Sequence, residues 1–277
     1  MCGLDWCNML GVMEDMLQYR EYMAQVLELA RKGAGWVDPN PLVGAVVVRD
    51  GEVLATGYHD RYRGPHAERM AFDYADANGI DLTGATVIDT LEPCCHVGSQ
   101  PACTDLILAH GIARVVVGSV DPNPIVAGKG LRILEEAGVE VVRDVMREEC
   151  DAINRHFFYY ITTGKPYIVD GRRRVGESAS EYAARRRELY ATYAAVLAGT
   201  ESDVPDESFA HFNGPVQAVG ADEVVIGGHR PLLLEAGALA CTDPDEWLSE
   251  LGKRKIDSLI VESDEAFERL SMACQKD

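Results

Sequence analysis

Two short stretches carry the pattern that decides the fold: residues 64–68 read GPHAE, and residues 90–96 read TLEPCCH, with a further cysteine at position 103. Imidazole nitrogen and thiolate sulfur are good zinc ligands, and a catalytic zinc keeps three protein ligands and one open position. His66, Cys94 and Cys103 supply three such ligands. A proline precedes both His66 and Cys94, at points where a loop or strand is expected to enter a helix. Two helix N-termini can then converge on the metal, and their positive dipole ends favour the thiolate form of the cysteines. The two stretches therefore predict a zinc site.

Glu68 follows His66 by two residues, within one helical turn, so it can reach a water on the metal without binding the metal itself. A carboxylate in that place can take a proton from the water and pass it to a leaving amine. One His and two Cys ligands, with a Glu held off the metal, form the arrangement of the zinc deaminases. Because only spacing favours Cys94 as the ligand, Cys95 and His96 remain alternatives.

Helical and extended patterns alternate on both sides of these stretches. Apolar residues recur at helical spacing from residue 14 to about residue 32, and Gly33 ends that pattern. Asp50-Gly51 lies between two strand-like runs and predicts a hairpin. Strands that alternate with helices predict an α/β fold with a layered sheet. The predicted helices cover residues 14–32, 66–72, 102–110, 131–137 and 148–161, and the predicted strands cover residues 43–48, 53–58, 84–91, 115–120 and 139–142.

Charge and cysteine content narrow the class of protein. A formal net charge of −19 over 277 residues argues against a nucleic-acid partner, because phosphate backbones are met by clustered Lys and Arg. Three of the eight cysteines lie within ten residues, beside histidines, which indicates metal binding in a reducing compartment. The sequence shows neither a signal-peptide pattern nor a run long and apolar enough to span a membrane. We therefore expect a cytoplasmic protein that acts on a small polar molecule.

Six segments within residues 13–160 form a specific set: PNPLVGAV (39–46), GYH (57–59), GPHAE (64–68), TLEPCCH (90–96), PAC (101–103) and DPNPIVAGKG (121–130). The set resembles the deaminase domain of the bacterial bifunctional riboflavin biosynthesis protein, a family in which a pyrimidine deaminase precedes a reductase. Eight residues separate Cys94 from Cys103, whereas cytidine and tRNA-adenosine deaminases usually place two between their cysteines. The resemblance implies a cytidine-deaminase-like three-layer α/β/α fold with a mixed sheet.

The resemblance also implies roles for individual residues. His66, Cys94 and Cys103 would bind zinc, and Glu68 would be the proton shuttle. The implied substrate is 2,5-diamino-6-ribosylamino-4(3H)-pyrimidinone 5′-phosphate, whose ring amine is replaced by oxygen with release of ammonia. Amide and carboxylate groups on loops can match the amino and carbonyl edges of such a ring. The residues expected to contact this substrate are Asn40, His59, His96, Ser99, Asp121, Asn123 and Lys129.

Position 99 departs from the family pattern, because the chain has Ser99 where the family usually has Lys or Arg. A charge for the phosphate would then come from Arg61, Arg63 or Lys129. The change leaves open a second hypothesis, deamination of another pyrimidine or of a pterin-like ring. A third hypothesis is a non-catalytic zinc scaffold. Glu68 argues against the scaffold, since a structural site uses a fourth ligand and needs no free base.

The second half of the chain resembles the family's reductase only in pieces. We expect residues 1–12 to be an N-terminal extension, residues 13–163 the zinc deaminase domain, and residues 164–277 a smaller α/β reductase-like remnant. The strand that precedes Asp-Gly in the family is predicted to be missing before Asp170-Gly171, and residues 261–264 read VESD where the family has Glu-Gly-Gly. Ser and Asp crowd and repel a phosphate that glycines would admit. We therefore expect neither reductase activity nor NADPH binding. Residues 164–277 could instead form homodimer contacts.

Overall fold

The chain divides into two compact units, one of Met1–Gly33 and Leu42–Asn154 and the other of Ala34–Pro41 and Arg155–Asp277. The computed structural model describes residues 6–97, 100–123, 127–197, 217–219, 223–225, 232–234 and 243–274. The predicted domain boundary after residue 163 falls at the end of a helix, Arg155–Thr163, that groups with the second unit.

The first unit is built on a five-stranded mixed sheet. In its described part the strands are β1 (Gly44–Arg49), β2 (Glu52–Tyr58), β3 (Thr86–Leu91), β4 (Arg114–Ser119) and β5 (Glu140–Val142), and the helices are α1 (Trp6–Arg31), α2 (Ala67–Ala77), α3 (Cys103–Ala109), α4 (Lys129–Glu136) and α5 (Arg147–Ile153). The strand order is β2-β1-β3-β4-β5. Strand β1 is antiparallel to β2 and β3, whereas β3, β4 and β5 are parallel.

Alternate residues of the strands fill two apolar cores, one on each face of this sheet. Val46, Ile88 and Val116 pack with apolar residues of α1 and with Cys150 of α5. Their neighbours in sequence, such as Val47 and Val87, pack with residues of α2, α3 and α4 on the opposite face. Because successive strand residues point to opposite faces, one sheet can be buried between two helical layers. The predicted three-layer α/β/α mixed sheet is confirmed.

The predicted hairpin is also present. Strands β1 and β2 pair antiparallel around Asp50 and Gly51, whose φ angles are 53° and 81°. Positive φ at both central residues is the requirement of a type I′ turn, which matches the twist of the flanking strands. Asp tolerates this conformation and Gly adopts it at no steric cost, so the dipeptide fixes the turn locally.

Two helices differ from the sequence-based expectation. Helix α1 begins at Trp6, seven residues before Met13, so much of the predicted N-terminal extension is helical. That segment contains no proline, and a single glycine costs only about 1 kcal/mol in a helix. The predicted helix over residues 148–161 is two helices, α5 and α6 (Arg155–Thr163), separated at Asn154. The buried Asn154 amide accepts from the Leu42 N–H at 2.8 Å and donates to the Leu42 carbonyl at 2.9 Å, which fixes the break.

The second unit contains a parallel sheet. Its further described strands are β6 (Tyr167–Asp170), β7 (Ala195–Leu197), β8 (Gln217–Val219), β9 (Glu223–Val225), β10 (Leu232–Leu234) and β11 (Ser258–Val261), and its further helices are α7 (Ala179–Thr192), α8 (Pro244–Lys253) and α9 (Asp264–Cys274). The order β10-β7-β11-β6 forms one sheet, and β8 pairs with β9 separately. Leu197, Leu259 and Val261 pack against α8 and α9, whereas Val196 and Ile260 pack against Tyr190 of α7. The predicted smaller α/β part is thus confirmed as a fold.

One prediction about this unit is wrong. Strand β6 runs directly into Asp170-Gly171, where the sequence predicted that a strand was missing. Its β-branched and aromatic residues suit an extended conformation, and parallel pairing with all four residues of β11 supplies its partner. Within the ranges described above, no helix combines the length and the apolar composition that crossing a membrane requires.

Candidate active site

His66 occupies the N-cap position of α2, with extended backbone angles, directly after Pro65. The start of α2 lies very close to β2, because a Cβ atom on Gly57 would meet the Ala67 carbonyl oxygen at 2.1 Å. Only glycine permits this approach. The hairpin therefore fixes where the helix begins, and the helix start fixes the position of the His66 ring.

Cys94 and Cys103 meet His66 from the other stretch. The His66 Nδ1 atom lies 3.5 Å from the Cys94 Sγ atom and 3.4 Å from the Cys103 Sγ atom. The backbone N–H of Cys103, the first residue of α3, donates to the Cys94 Sγ atom at 3.4 Å. Cys94 lies just beyond the end of β3, so the central sheet and α3 together hold the two sulfurs against the histidine.

These three donor atoms fit a zinc ion. Zinc–sulfur and zinc–nitrogen bonds of tetrahedral geometry place neighbouring ligand atoms roughly 3.5–3.8 Å apart, close to the distances observed here. The pKa of Cys94 is lowered to about 4, chiefly because the Cys103 thiol donates a hydrogen bond to its sulfur, with a further contribution from His66. The shared proton raises the pKa of Cys103. The cluster thus already stabilises one thiolate, the form of cysteine that binds metal.

In the described part of the first unit, His66, Cys94 and Cys103 form a cluster in which each residue offers one donor atom within 4.8 Å of the others. Cys95, one of the alternative ligands, is half-buried outside this cluster, and His96, the other, is exposed. Three protein donors are the number that leaves an open coordination position for water or substrate.

Glu68 lies in the first turn of α2 and is 3% exposed. Burial is the main cause that raises the pKa of its carboxyl group, and the neighbouring Cys94 thiolate raises it further. The Glu68 carboxylate is also within hydrogen-bonding reach of the Cys103 side chain. The geometry therefore places a carboxyl group beside the metal-binding donors and outside the cluster itself, where it can exchange a proton with a molecule at the open position.

Asp89 is a second buried carboxyl group at this site, and the sequence analysis missed it. It lies on β3 with no exposed surface, between Ala45 of β1 and Val117 of β4. Neither carboxylate oxygen has a hydrogen-bond partner in the described part of the chain. Burial and the charges of Glu68 and Cys94 raise the pKa of Asp89 well above its usual value. The sequence signal for this residue is an acidic side chain in the middle of VIDTL (residues 87–91), a run that otherwise predicts a buried strand.

Glu92 organises the loop that follows β4 and was likewise not singled out. Its buried carboxylate accepts hydrogen bonds from the backbone N–H groups of Asp121 at 3.3 Å, Gly128 at 2.8 Å and Gly130 at 3.0 Å. A Cβ atom on Gly130 would lie 2.3 Å from the Pro93 carbonyl oxygen. Parallel strands β3 and β4 end at the same edge of the sheet, so Glu92 ties the loop after β4 to the loop that carries Cys94.

His59 and Asp121 are the predicted substrate residues that the structure buries at this end of the sheet. The His59 Nδ1–H donates to the Pro65 carbonyl at 2.8 Å, and its ring lies 5.9 Å from the His66 ring, centroid to centroid. Burial is the main cause that lowers the pKa of His59, which favours a neutral imidazole. Asp121 accepts from the Asn123 N–H at 2.8 Å, and burial raises its pKa.

The other predicted substrate residues are placed as follows. Asn123 is half-buried, and His96 and Lys129 are exposed. Asn40 belongs to the Ala34–Pro41 segment of the second unit, and Ser99 lies outside the described residues. Next to Ser99, the Gln100 amide donates to the Gly64 carbonyl at 2.8 Å and so links the segment before Cys103 to the stretch that carries His66.

Comparison with known proteins defines the class. The cytidine and deoxycytidylate deaminase zinc-binding region matches residues 16–119, which include all three donors and Glu68. The fold is thus that of a cytidine-deaminase-like zinc-binding domain. A crystal structure of a diaminohydroxyphosphoribosylaminopyrimidine deaminase/5-amino-6-(5-phosphoribosylamino)uracil reductase from Thermotoga maritima is similar, with a TM-score of 0.75 and 31% identity over 93% of this chain and 84% of that one.

The similarity extends along the chain. The riboflavin biosynthesis protein RibD of Actinobacillus pleuropneumoniae is 36% identical over 293 aligned positions, which cover 87% of this chain and 77% of the relative. The RibD protein of Aquifex aeolicus is 49% identical over 150 residues, which cover 54% of this chain and 41% of that relative. This chain belongs to the RibD family of riboflavin biosynthesis proteins and is an enzyme of the deaminase class.

Proposed function

We propose that the chain catalyses the zinc-dependent hydrolytic deamination of 2,5-diamino-6-ribosylamino-4(3H)-pyrimidinone 5′-phosphate, in which water replaces a ring amine and ammonia leaves. One observation carries the proposal: His66, Cys94 and Cys103 form a three-donor cluster beside the buried Glu68, in a chain of the RibD family. The substrate is proposed from the family and from the loops around this cluster.

In this proposal His66 Nδ1 and the two cysteine sulfurs hold the zinc ion. When bound, zinc lowers the pKa of its water ligand towards neutrality and so supplies a nucleophile at neutral pH. The Glu68 carboxylate accepts a proton at its Oε atom from the attacking water and later gives it to the departing amine. Its burial excludes bulk water, so the proton passes between the reacting groups.

The loop after β4 supports recognition of the ring. Glu92 fixes the backbone of this loop, and the buried Asp121 carboxyl is presented at the same edge as Cys94. The buried His59, whose pKa is lowered by burial, offers a second polar group close to the His66 ring. Asn40, His96, Ser99, Asn123 and Lys129 remain predicted contacts, with Lys129 as the candidate cation for the phosphate.

The decisive experiment measures ammonia released from this pyrimidinone phosphate by the zinc-loaded protein, with and without chelator. Glu68→Gln should keep the bound zinc and lower the turnover by about 10²–10⁴-fold, the usual contribution of a positioned acid–base group. Asp73→Asn is the matched control, because Asp73 lies on the exposed side of the same helix and pairs with Arg69 at 3.6 Å. Normal turnover by the Glu68→Gln protein would exclude the mechanism, and turnover of other ring amines alone would exclude the substrate.

We further propose that the second unit lacks reductase activity. Acidic side chains just after β11 are paired with arginines: Glu262 with Arg186 at 2.8 Å, and Asp264 with Arg172 at 3.0 Å. Asp264 and Glu265 both lie in the first turn of α9, where negative charge opposes the binding of a phosphate. NADPH oxidation by the purified protein in the presence of the deaminated product would contradict this part of the proposal.

A further inference from the structure

A second cluster of metal-binding groups lies inside the second unit. Asp38 belongs to the Ala34–Pro41 segment, His156 to the first turn of α6, and Asp257 directly precedes β11. The His156 Nε2 atom lies 3.7 Å from an Asp38 carboxylate oxygen and 3.7 Å from an Asp257 carboxylate oxygen. All three side chains are buried, with 4%, 4% and 0% of their surface exposed, respectively.

Two polar atoms that face each other in this cluster have no hydrogen bond. The His156 Nε2 atom and the Asp257 Oδ2 atom that faces it are buried without a hydrogen-bond partner in the described residues. The Asp38 Oδ2 atom is also buried and unpartnered there, whereas the Asp38 oxygen that faces His156 is Oδ1. Leaving a buried polar atom unsatisfied costs about 1–3 kcal/mol, and more where the group is charged. A buried pair of facing unpartnered atoms, with a third unpartnered oxygen on Asp38, is therefore expensive unless something binds between them.

We propose that Asp38, His156 and Asp257 form a second metal site, which binds a divalent transition-metal ion such as Zn²⁺. One ligand atom from each of the three residues lies within 4.8 Å of the other two. Zinc bonds to imidazole nitrogen and carboxylate oxygen at about 2.0–2.2 Å, which places neighbouring ligand atoms roughly 3.3–3.6 Å apart. Separations of 3.7 Å are too long for hydrogen bonds and need only a small contraction to meet around an ion.

The charge of the cluster suits a dication. Burial opposes protonation of His156, but Asp38 and Asp257 together raise its pKa, so a cation is favoured between the two carboxylates. A divalent ion would take the place of that proton and neutralise both carboxylates, with the imidazole neutral. Without an ion, burial of Asp257 beside Asp38 raises the pKa of Asp257, as expected for two carboxyl groups that share a buried site. The Ser258 hydroxyl donates to the other Asp257 oxygen at 2.9 Å, which orients the carboxylate and supports a ligand role for the partnerless oxygen.

This site would be structural. Its ligands are closed from solvent and come from three segments far apart in the chain, around residues 38, 156 and 257. An ion held by all three would link the Ala34–Pro41 segment, α6 and β11 within the second unit. Binding to the folded form alone stabilises that form by mass action. The inference is independent of the proposed deaminase reaction and uses none of its residues.

The test counts metal ions per chain. The full-length protein is stripped with chelator, reloaded with Zn²⁺, freed of excess metal and measured by mass spectrometry of its metal content. We expect two zinc ions per wild-type chain, and one in Cys94→Ser/Cys103→Ser, one in His156→Gln and one in Asp257→Asn. His110→Gln is the matched control, because His110 is a half-buried histidine hydrogen-bonded to the Leu106 carbonyl, outside both clusters, and should keep two.

Two further measurements identify the ion's ligands. Cobalt(II) loaded into Cys94→Ser/Cys103→Ser should show ligand-field absorption without a thiolate charge-transfer band, because the second cluster has no sulfur. Zinc should raise the Tm of that double variant and leave the Tm unchanged once His156→Gln is added. One zinc in the wild type with none in Cys94→Ser/Cys103→Ser, or two zinc ions retained in both His156→Gln and Asp257→Asn, would overturn the proposal. Asp257→Asn keeps the side-chain shape, so it decides the question if His156→Gln does not fold.

Discussion

Replacing Asp89 with valine should stabilise the first unit, and by an amount that grows with pH. Asp89 is fully buried on β3, has no hydrogen-bond partner in the described part of the chain, and faces Glu68 and Cys94. Its pKa is raised above the ordinary value of 3.8. Below pH 3.8 the carboxyl is protonated in both the folded and the unfolded chain, so ionisation costs nothing there.

As the pH rises above 3.8, the unfolded chain ionises Asp89 while the folded chain keeps it protonated, so the folded state loses stability until the pH reaches the folded pKa. The loss is about 1.4 kcal/mol per pH unit in that window. For a domain of this size 1 kcal/mol corresponds to about 2–4 °C in Tm. Asp89→Val removes the titration, so its Tm advantage over wild type should grow by roughly 3–5 °C per pH unit until the pH reaches the folded pKa of Asp89 and then level off.

The assay is thermal unfolding of chelator-treated protein from pH 5 to pH 8, followed by circular dichroism, so that no bound cation lowers the pKa of Asp89. Asp89→Asn should also lose the pH trend, but with a lower Tm than Asp89→Val because a buried amide still lacks partners. Glu136→Gln removes an exposed carboxylate of α4 and should shift Tm by less than about 2 °C at every pH. A Tm difference between Asp89→Val and wild type that shrinks as the pH rises, or that grows nowhere between pH 5 and pH 8, would refute the reasoning.

Three further outcomes follow from single contacts. Asn154→Ala should destabilise the chain by about 3 kcal/mol, because it leaves the Leu42 N–H and carbonyl unsatisfied; an unchanged urea midpoint would contradict this. Gly130→Ala should cost about 2 kcal/mol and lower Tm, because its Cβ would lie 2.3 Å from the Pro93 carbonyl oxygen; an unaltered Tm would show that the loop yields freely. Cys94→Ser should lose one equivalent of zinc while Cys95→Ser keeps it, since Cys95 lies outside the donor cluster; metal analysis giving the reverse would reassign the ligand.

The elements that the sequence predicted well are those determined by nearby residues. The hairpin at Asp50-Gly51 depends on two residues that both adopt positive φ. The donor cluster was predictable because each donor is recognisable by type and spacing, and the structure brings His66 to within 3.5 Å of both sulfurs. Residue types and short-range spacing were thus sufficient to predict the hairpin and the donor cluster of the first unit.

The features that sequence reasoning missed depend on distant partners. The break between α5 and α6 is fixed by Asn154 and Leu42, which are 112 residues apart. No helical pattern over residues 148–161 reports that contact. Strand β6 is only four residues long and acquires its partner from β11, about ninety residues later. The cluster of Asp38, His156 and Asp257 joins three segments whose local sequences carry no metal-binding spacing.

Glu92 lies within the TLEPCCH motif, but its role could not be inferred from the sequence. Its carboxylate accepts hydrogen bonds from three backbone N–H groups of the loop after β4. Because nearly every residue has a backbone N–H group, the sequence does not indicate which ones will donate. The residue lies two positions before Cys94, so any movement of the loop that presents Asp121 is transmitted to the metal-binding cysteine. Charge-assisted hydrogen bonds of this kind are about twice as strong as neutral ones. These hydrogen bonds link Asp121, Gly128 and Gly130 of the loop proposed to contact the substrate to the segment that carries Cys94, and such a link favours the alignment of a ring carbon with an attacking water.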